Sequence, residues 1–216
     1  MSRLLVYHPF PEVDFRKELE HRIQKNDHFS QRELMTLLYD TLNGMYHLQK
    51  IGYVHGKFGP EWVAKTLSGY AVMEDPLNNN ELPQNLNEKK HVYLSPEARR
   101  AAVKHLPPSS TYNIPKADVF AIGLFVLEAA LLRRLNDYLD PVSTSPKLLG
   151  EALEEFGHLY RDNKLLVSSV NNMLELDPEM RPDFKELLTK MPEYELVKEH
   201  FDIEGDSYAL RQNVPK

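Results

Sequence analysis

The stretch ADVFAIGLFVLEAALL, residues 117–132, decides how this chain folds. Wound into a helix, it is apolar on every side apart from Asp118 near its start and Glu128 near its end. A helix of this kind is stable only where protein surrounds it, so the stretch predicts a central helix with other helices packed around it. It is shorter than the roughly 20 apolar residues that span a bilayer, and Arg133 and Arg134 follow directly, so we expect no membrane span.

Amphipathic helices are predicted on both sides of this central helix. Residues 30–33, Ser-Gln-Arg-Glu, form a capping-box pattern, in which the first and last side chains each bond the other residue's backbone N–H. Apolar side chains then recur at helical spacing, and Gly52 suits the left-handed residue that ends a helix. Further helices are predicted over residues 14–25, 147–160, 163–175 and 183–190, with Asp14, Ser145 and Asp183 as N-caps.

Strand signals are few and short. Residues 4–7 (LLVY) predict a strand that Pro9 ends, and residues 53–77 predict one small hairpin that turns at Gly69-Tyr70. Residues 78–91 are polar and predict a solvated loop. The fold class expected is therefore mainly α with a few short strands.

The composition of the chain disfavours or excludes several classes of function. The 216 residues are 42% hydrophobic and 27% charged, which is typical of one globular domain. The net charge of -6 disfavours a nucleic-acid binder, which needs a dense basic face. The absence of cysteine excludes disulfides, thiolate metal sites and a thiol nucleophile, and it fits a cytoplasmic protein.

Five short segments occur in the order and spacing of the C-terminal lobe of a protein kinase. They resemble the catalytic loop, the start of the D-F-G motif, the A-P-E motif, the start of the buried central helix and the late D-P-x-x-R-P segment. In that order they are residues 53–63 (YVHGKFGPEWV), 75–77 (DPL), 93–97 (YLSPE), 116–123 (KADVFAIG) and 176–182 (LDPEMRP). The match covers nearly the whole chain except about the last 25 residues, and it rests on the shared register, because each motif alone is weak.

The resemblance implies an α+β kinase-like fold in three parts. Residues 1–12 would be a remnant of the last strand of the small N-terminal lobe and its hinge. Residues 13–191 would be the helical C-lobe, and residues 192–216 a C-terminal tail. No glycine precedes Gly44, so the Gly-rich loop that covers ATP phosphates is absent, and most of the small lobe is missing from this chain.

Four residues are expected to have structural roles. Glu97 and Arg181 are either two surface charges or, as the resemblance implies, a buried pair beneath the activation segment. Asp118 is either the N-cap of the central helix or a buried carboxylate that braces the backbone of the catalytic loop. His55 is expected to be a packed structural histidine in that loop.

The catalytic-loop positions are degenerate relative to the family. The resemblance places Lys57 where the carboxylate that accepts the substrate proton belongs, and a cation cannot take that role. It places Trp62 where an asparagine ligates magnesium, and the indole offers no oxygen ligand. Gly59 replaces the lysine that steadies the transferring phosphate, and Gly56 replaces the arginine that receives an activation-loop phosphate.

Asp75 is the one carboxylate left at a magnesium position. It is either a vestigial metal ligand or a turn aspartate, because a single carboxylate binds magnesium weakly without nucleotide phosphates. We expect no catalytic residues, no cofactor and no metal site. Farther along, Arg99, Arg100 and Lys104 either grip an acidic partner or form a solvated helix face.

The function expected is that of a pseudokinase, an inactive kinase-like protein that acts as a scaffold or structural subunit. Its protein partner would cover the face that normally meets the small lobe, near residues 4–10, Trp62 and residues 72–77, unless the tail covers it. A hetero-oligomeric complex in the cytoplasm is expected, with a cytoskeletal or ciliary assembly as one setting. The alternatives are a divergent kinase or half-kinase that binds ATP and is completed by another chain, and an ATP sensor without turnover.

Overall fold

The computed structural model describes residues 15–56, 58–65, 69–72, 93–134 and 146–191. Within these ranges the protein is mainly helical, as the sequence predicts, with one two-stranded sheet. The helices are α1 (Phe15–Lys25), α2 (Gln31–Lys50), α3 (Pro96–Val103), α4 (Pro108–Thr111), α5 (Ile114–Leu131), α6 (Pro146–Leu159), α7 (Lys164–Met173) and α8 (Phe184–Thr189); the strands are β1 (Val63–Lys65) and β2 (Tyr70–Val72).

Helix α5 is the central element. Its side chains are buried on all sides, and α2, α6, α7 and α3 pack around it. The close approach of the following elements depends on Gly123, because a Cβ there would lie 2.9 Å from the Leu174 side chain that follows α7. A helix that is apolar on every face is thus stabilised by burial against its neighbours.

The start of α5 differs from the prediction. The helix begins at Ile114, three residues before the predicted Ala117, and its N-cap is Asn113, whose side chain accepts a hydrogen bond from the backbone N–H of Lys116. The N-cap interpretation of Asp118 is therefore wrong. Pro115 is also accommodated in the first turn, where a helix needs no N–H donor.

Local capping signals are confirmed where the structure describes them. Ser30 and Glu33 form the predicted capping box of α2, and Gly52 follows this helix with a φ of +84°. Asp183 forms a second capping box with Glu186 at the start of α8. Observed helix bounds agree with the predicted ones to within one or two residues for α1, α6, α7 and α8.

The predicted hairpin is confirmed as the antiparallel pair β1–β2, in which Val63 pairs with Val72 and Lys65 with Tyr70. Tyr70 belongs to β2 and not to the turn. Asp40 on α2 accepts a hydrogen bond of 2.9 Å from the Tyr70 backbone N–H, and so it fixes the hairpin against α2. Strands of three residues need such support, because an isolated hairpin is marginally stable in water.

Several predictions lie outside the described residues. They are the strand at residues 4–7, the N-caps Asp14 and Ser145, the loop at residues 78–91, the site positions Lys57 and Asp75, and the segments 1–12 and 192–216. None of the helices in the described ranges combines the length and apolarity required to cross a bilayer.

Candidate functional site

The candidate site is the turn over residues 53–62, which lies between the end of α2 and the hairpin. Its backbone bends at Gly56, where φ is +72°, a conformation that L-residues with side chains rarely adopt. Gly59 precedes a single 3₁₀ turn over Pro60–Trp62, and both Gly59 and Pro60 are buried. Gly59 and Pro60 thus hold the second half of the turn in the protein interior.

Asp118 of α5 holds the backbone of this turn in place through hydrogen bonds. Its carboxylate accepts hydrogen bonds from the backbone N–H of His55 at 3.2 Å and from that of Gly56 at 2.9 and 3.2 Å. The aspartate lies one turn into α5 and is almost fully buried. The second interpretation of Asp118, a buried carboxylate that braces the loop backbone, agrees with this geometry.

Burial and neighbouring charges raise the pKa values of Asp118 and of the nearby Tyr112. Burial raises the pKa of Asp118 to about 7, against the opposing effect of the hydrogen bonds from Gly56 and His55. Burial, followed by the charges of Asp118 and Glu97, raises the pKa of Tyr112 to about 12. Tyr112 is therefore a neutral hydroxyl at physiological pH, and the ionisation of Asp118 is sensitive to pH near neutrality.

His55 packs among aromatic rings. Its ring meets those of Phe58 and Trp62 edge to face, each with centroids 5.6 Å apart, and Phe58 in turn packs on Phe125 of α5. His55 and Phe58 are buried, and Trp62 is half-buried. The predicted role of His55 as a packed histidine agrees with this burial, and the indole occupies space beside it with a ring that ligates no hard cation.

A narrow crevice opens beside Gly56 and Asp118. Tyr93, Ser95 and Tyr112 contribute to its wall together with apolar side chains of α3 and α5. Its interior has room for about one water molecule.

Glu97 and Arg181 form the buried pair that the resemblance implies. Two guanidinium nitrogens of Arg181 donate to the two oxygens of Glu97, at 2.7 and 3.3 Å. Arg181 also donates to the carbonyls of Lys116 at 2.7 Å and Glu175 at 3.0 Å, and its exposure is 0%. The pair therefore joins α3 to the start of α5 and to the loop before α8.

A second polar cluster was not predicted. Glu128 is 1% exposed, and it accepts a hydrogen bond of 3.3 Å from Arg16 of α1 as well as one from the Tyr93 hydroxyl. Arg16 also donates to the Tyr93 hydroxyl oxygen at 3.0 Å. The sequence contained a signal for this cluster, because Glu128 is the one charge in the apolar run from residue 119 to 132, and a buried charge requires a partner.

The structure thus brings the predicted residues together in two groups. His55, Gly56 and Trp62 belong to the turn, to which Asp118 of α5 is hydrogen-bonded, whereas Glu97 and Arg181 form a separate ion pair between α3 and the loop before α8. Among the residues that the structure describes, no three His, Asp or Glu side chains cluster in a way that could hold a metal ion.

No protein-family model matches this chain, and no curated protein matches it significantly in sequence.

Proposed function

We propose that this protein is a catalytically inactive, kinase-like protein that serves as a binding or scaffolding subunit of a hetero-oligomeric cytoplasmic assembly. The observation that carries the proposal is the packing of Trp62 against the buried His55 in the turn over residues 53–62. If the turn is a catalytic loop, Trp62 stands where a magnesium-binding asparagine is required. In that register the packed indole would replace the metal ligand with a ring that offers no oxygen.

Two further contacts support the kinase-like part of the proposal. In the motif register described above, Asp118 would brace the catalytic loop and Glu97 would pair with Arg181, and both contacts are formed. These contacts are the ones expected to support such a lobe from within, whereas in the same register the residue types needed for proton transfer and phosphate binding would be replaced. Retained architecture without catalytic groups favours binding over chemistry.

The first experiment measures nucleotide binding and phosphate transfer by the purified full chain. Saturating binding at a hundredfold excess over Kd would add about 2.7 kcal/mol to the free energy of unfolding. We expect Mg²⁺-ATP to leave the thermal midpoint unchanged and to leave the fluorescence of Trp62, the one tryptophan of the chain, unchanged as well. A Trp62→Phe variant supplies the fluorescence blank.

ATP-dependent stabilisation together with phosphate transfer to a protein substrate, both lost in Asp75→Ala, would establish the half-kinase alternative instead. Stabilisation without transfer would establish the ATP sensor.

A second experiment tests the subunit role. Sedimentation of the protein in a native cell extract should place it in particles far larger than the 25.1 kDa chain. Sedimentation as a monomer would contradict a structural role in an assembly.

A further inference from the structure

The end of α3 carries an exposed surface that is both cationic and apolar. We call it the α3 surface and define it as Arg100, Val103, Lys104, His105 and Leu106. All five residues are exposed, and the two apolar members expose 58% (Val103) and 40% (Leu106) of their surface. Single exposed apolar residues are ordinary, but two that are only three positions apart and flanked by cations require an explanation.

The helix orients this surface away from the core. Glu97, Ala98, Ala101 and Ala102 occupy the buried side of α3. Because side chains three and four residues apart share a helix face, Arg100, Val103 and Lys104 lie together on the opposite side.

A C-terminal cap fixes the backbone conformation of His105 and Leu106, which follow α3. The N–H of Leu106 donates to the Ala101 carbonyl at 2.9 Å and that of His105 to the Ala102 carbonyl at 3.1 Å, the two bonds of a Schellman motif. His105 takes the left-handed position with φ +51°, where glycine is usual. Leu106 is therefore held at the surface by an ordered turn.

The cations of the α3 surface lack carboxylate partners within the described part of the protein. Neither Arg100 nor Lys104 forms an ion pair with a carboxylate there, although they stand four residues apart and repel each other. Cations near a helix C-terminus interact favourably with the helix dipole, which explains one such charge but not the two exposed apolar side chains between and beside them. The whole chain carries a net charge of -6, so this local cationic surface runs against its overall balance.

We propose that the α3 surface is a docking site for an acidic segment of a partner protein, whose carboxylates meet Arg100 and Lys104 while its apolar side chains cover Val103 and Leu106. The inference rests on the proposed role as a binding protein and names a partner class for it. Charge complementarity selects an acidic partner, and the apolar pair gives contact area that a purely acidic chain could not use.

The test is fluorescence anisotropy of the full chain with a labelled peptide of about four helical turns, with leucine at every third or fourth position and glutamate elsewhere. We expect saturable binding. The Arg100→Glu/Lys104→Glu variant should weaken it roughly tenfold or more, because each reversal turns an attraction into a repulsion. Val103→Ser/Leu106→Ser should weaken it without altering its salt dependence. Lys147→Glu, an exposed cation on α6, is the matched control and should change nothing.

Equal binding by the charge-reversed variant and the Lys147 control, or equal binding of a peptide with serine in place of leucine, would overturn the proposal. So would equally tight, equally variant-sensitive binding of a single-stranded oligonucleotide, which would indicate unspecific attraction. The chain's own residues 193–206 contain six carboxylates against one lysine. If the peptide binds only after those six are changed to amides, the occupant is this segment and not a partner. A thermal midpoint equal to that of the wild type shows that each variant is folded. The ATP experiment does not depend on peptide binding, so the docking site and the proposed function can fail independently.

Discussion

Replacing Arg181 by methionine tests how strongly the fold depends on one buried ion pair. The wild-type guanidinium is 0% exposed, makes two hydrogen bonds to Glu97 and two more to main-chain carbonyls, and lies over the Phe120 ring at 4.8 Å. Methionine fills much of the same volume but leaves the Glu97 carboxylate buried without its cation. Breaking such a pair from one side destabilises proteins by about 3–5 kcal/mol. For a chain of this length that corresponds to a fall of very roughly 6–20 °C in Tm.

The assay is urea unfolding followed by far-UV circular dichroism, on wild type, Arg181→Met, Glu97→Leu and the double variant. Each single change should lower the free energy of unfolding, and Glu97→Leu should do so because it leaves the guanidinium unpaired. The double variant should be at least as stable as either single variant, because apolar replacement of a whole buried pair is often neutral or favourable. An exposed ion pair, Arg133 with Glu155, supplies the matched control, and Arg133→Met should change stability by no more than about 1 kcal/mol.

Two results would refute the reasoning. One is an Arg181→Met variant that loses no more stability than Arg133→Met, because the buried contacts would then contribute nothing beyond a surface pair. The other is strict additivity of the Arg181 and Glu97 changes, because residues that share hydrogen bonds must show an interaction free energy.

Three further changes follow from close contacts around α5 and α2. Burial raises the pKa of Asp118 to about 7, so the stability that its protonated form contributes is complete below the ordinary pKa of aspartate and is lost as pH rises through 7. In urea titrations, the free energy of unfolding of the wild type relative to Asp118→Asn should therefore rise by up to roughly 4 kcal/mol between pH 8 and pH 4. A difference that stays flat or rises with pH would contradict this. Gly123→Ala should lower the free energy of unfolding by about 1–3 kcal/mol, because its Cβ would meet Leu174 at 2.9 Å; an unchanged urea midpoint would show that α5 and the end of α7 separate easily. Gly69→Ala should destabilise the hairpin, because its added Cβ would clash with the Asp40 carboxylate and the backbone there has a φ of +148°; the effect should appear as faster hydrogen exchange at Tyr70. Gly150→Ala, whose Cβ meets nothing within 4 Å, is the control.

The sequence predicted well those features that depend on neighbours in the chain. The capping box at Ser30 and the terminator Gly52 each act within one helical turn, and the all-apolar composition of residues 119–127 marks burial by itself. The start of α5 was misplaced for a related reason. Asp118 is an ordinary N-cap residue, but its carboxylate is engaged by backbone N–H groups 62 and 63 residues earlier in the chain.

The candidate site was predicted in part. The bracing role of Asp118 and the pairing of Glu97 with Arg181 were available only through motif register, because both contacts join residues more than 60 positions apart. The cluster of Arg16, Glu128 and Tyr93 has no counterpart in a short sequence motif, and its members are separated by up to 112 positions. Local patterning cannot identify such partners, although the lone charge of Glu128 showed that one must exist.

The apolar character of α5 has a consequence for the synthesis of the protein. When this helix leaves the ribosome, α2 and α3 are already made, but α6 and α7 are not, and α7 ends at Met173. At bacterial or eukaryotic elongation rates of about 5–20 residues per second, the intervening stretch of some 40 residues takes roughly 2–8 s to emerge. During those seconds a helix without a polar face is only partly covered by other elements of the nascent chain. It therefore offers an apolar binding sequence to chaperones at the ribosomal exit tunnel.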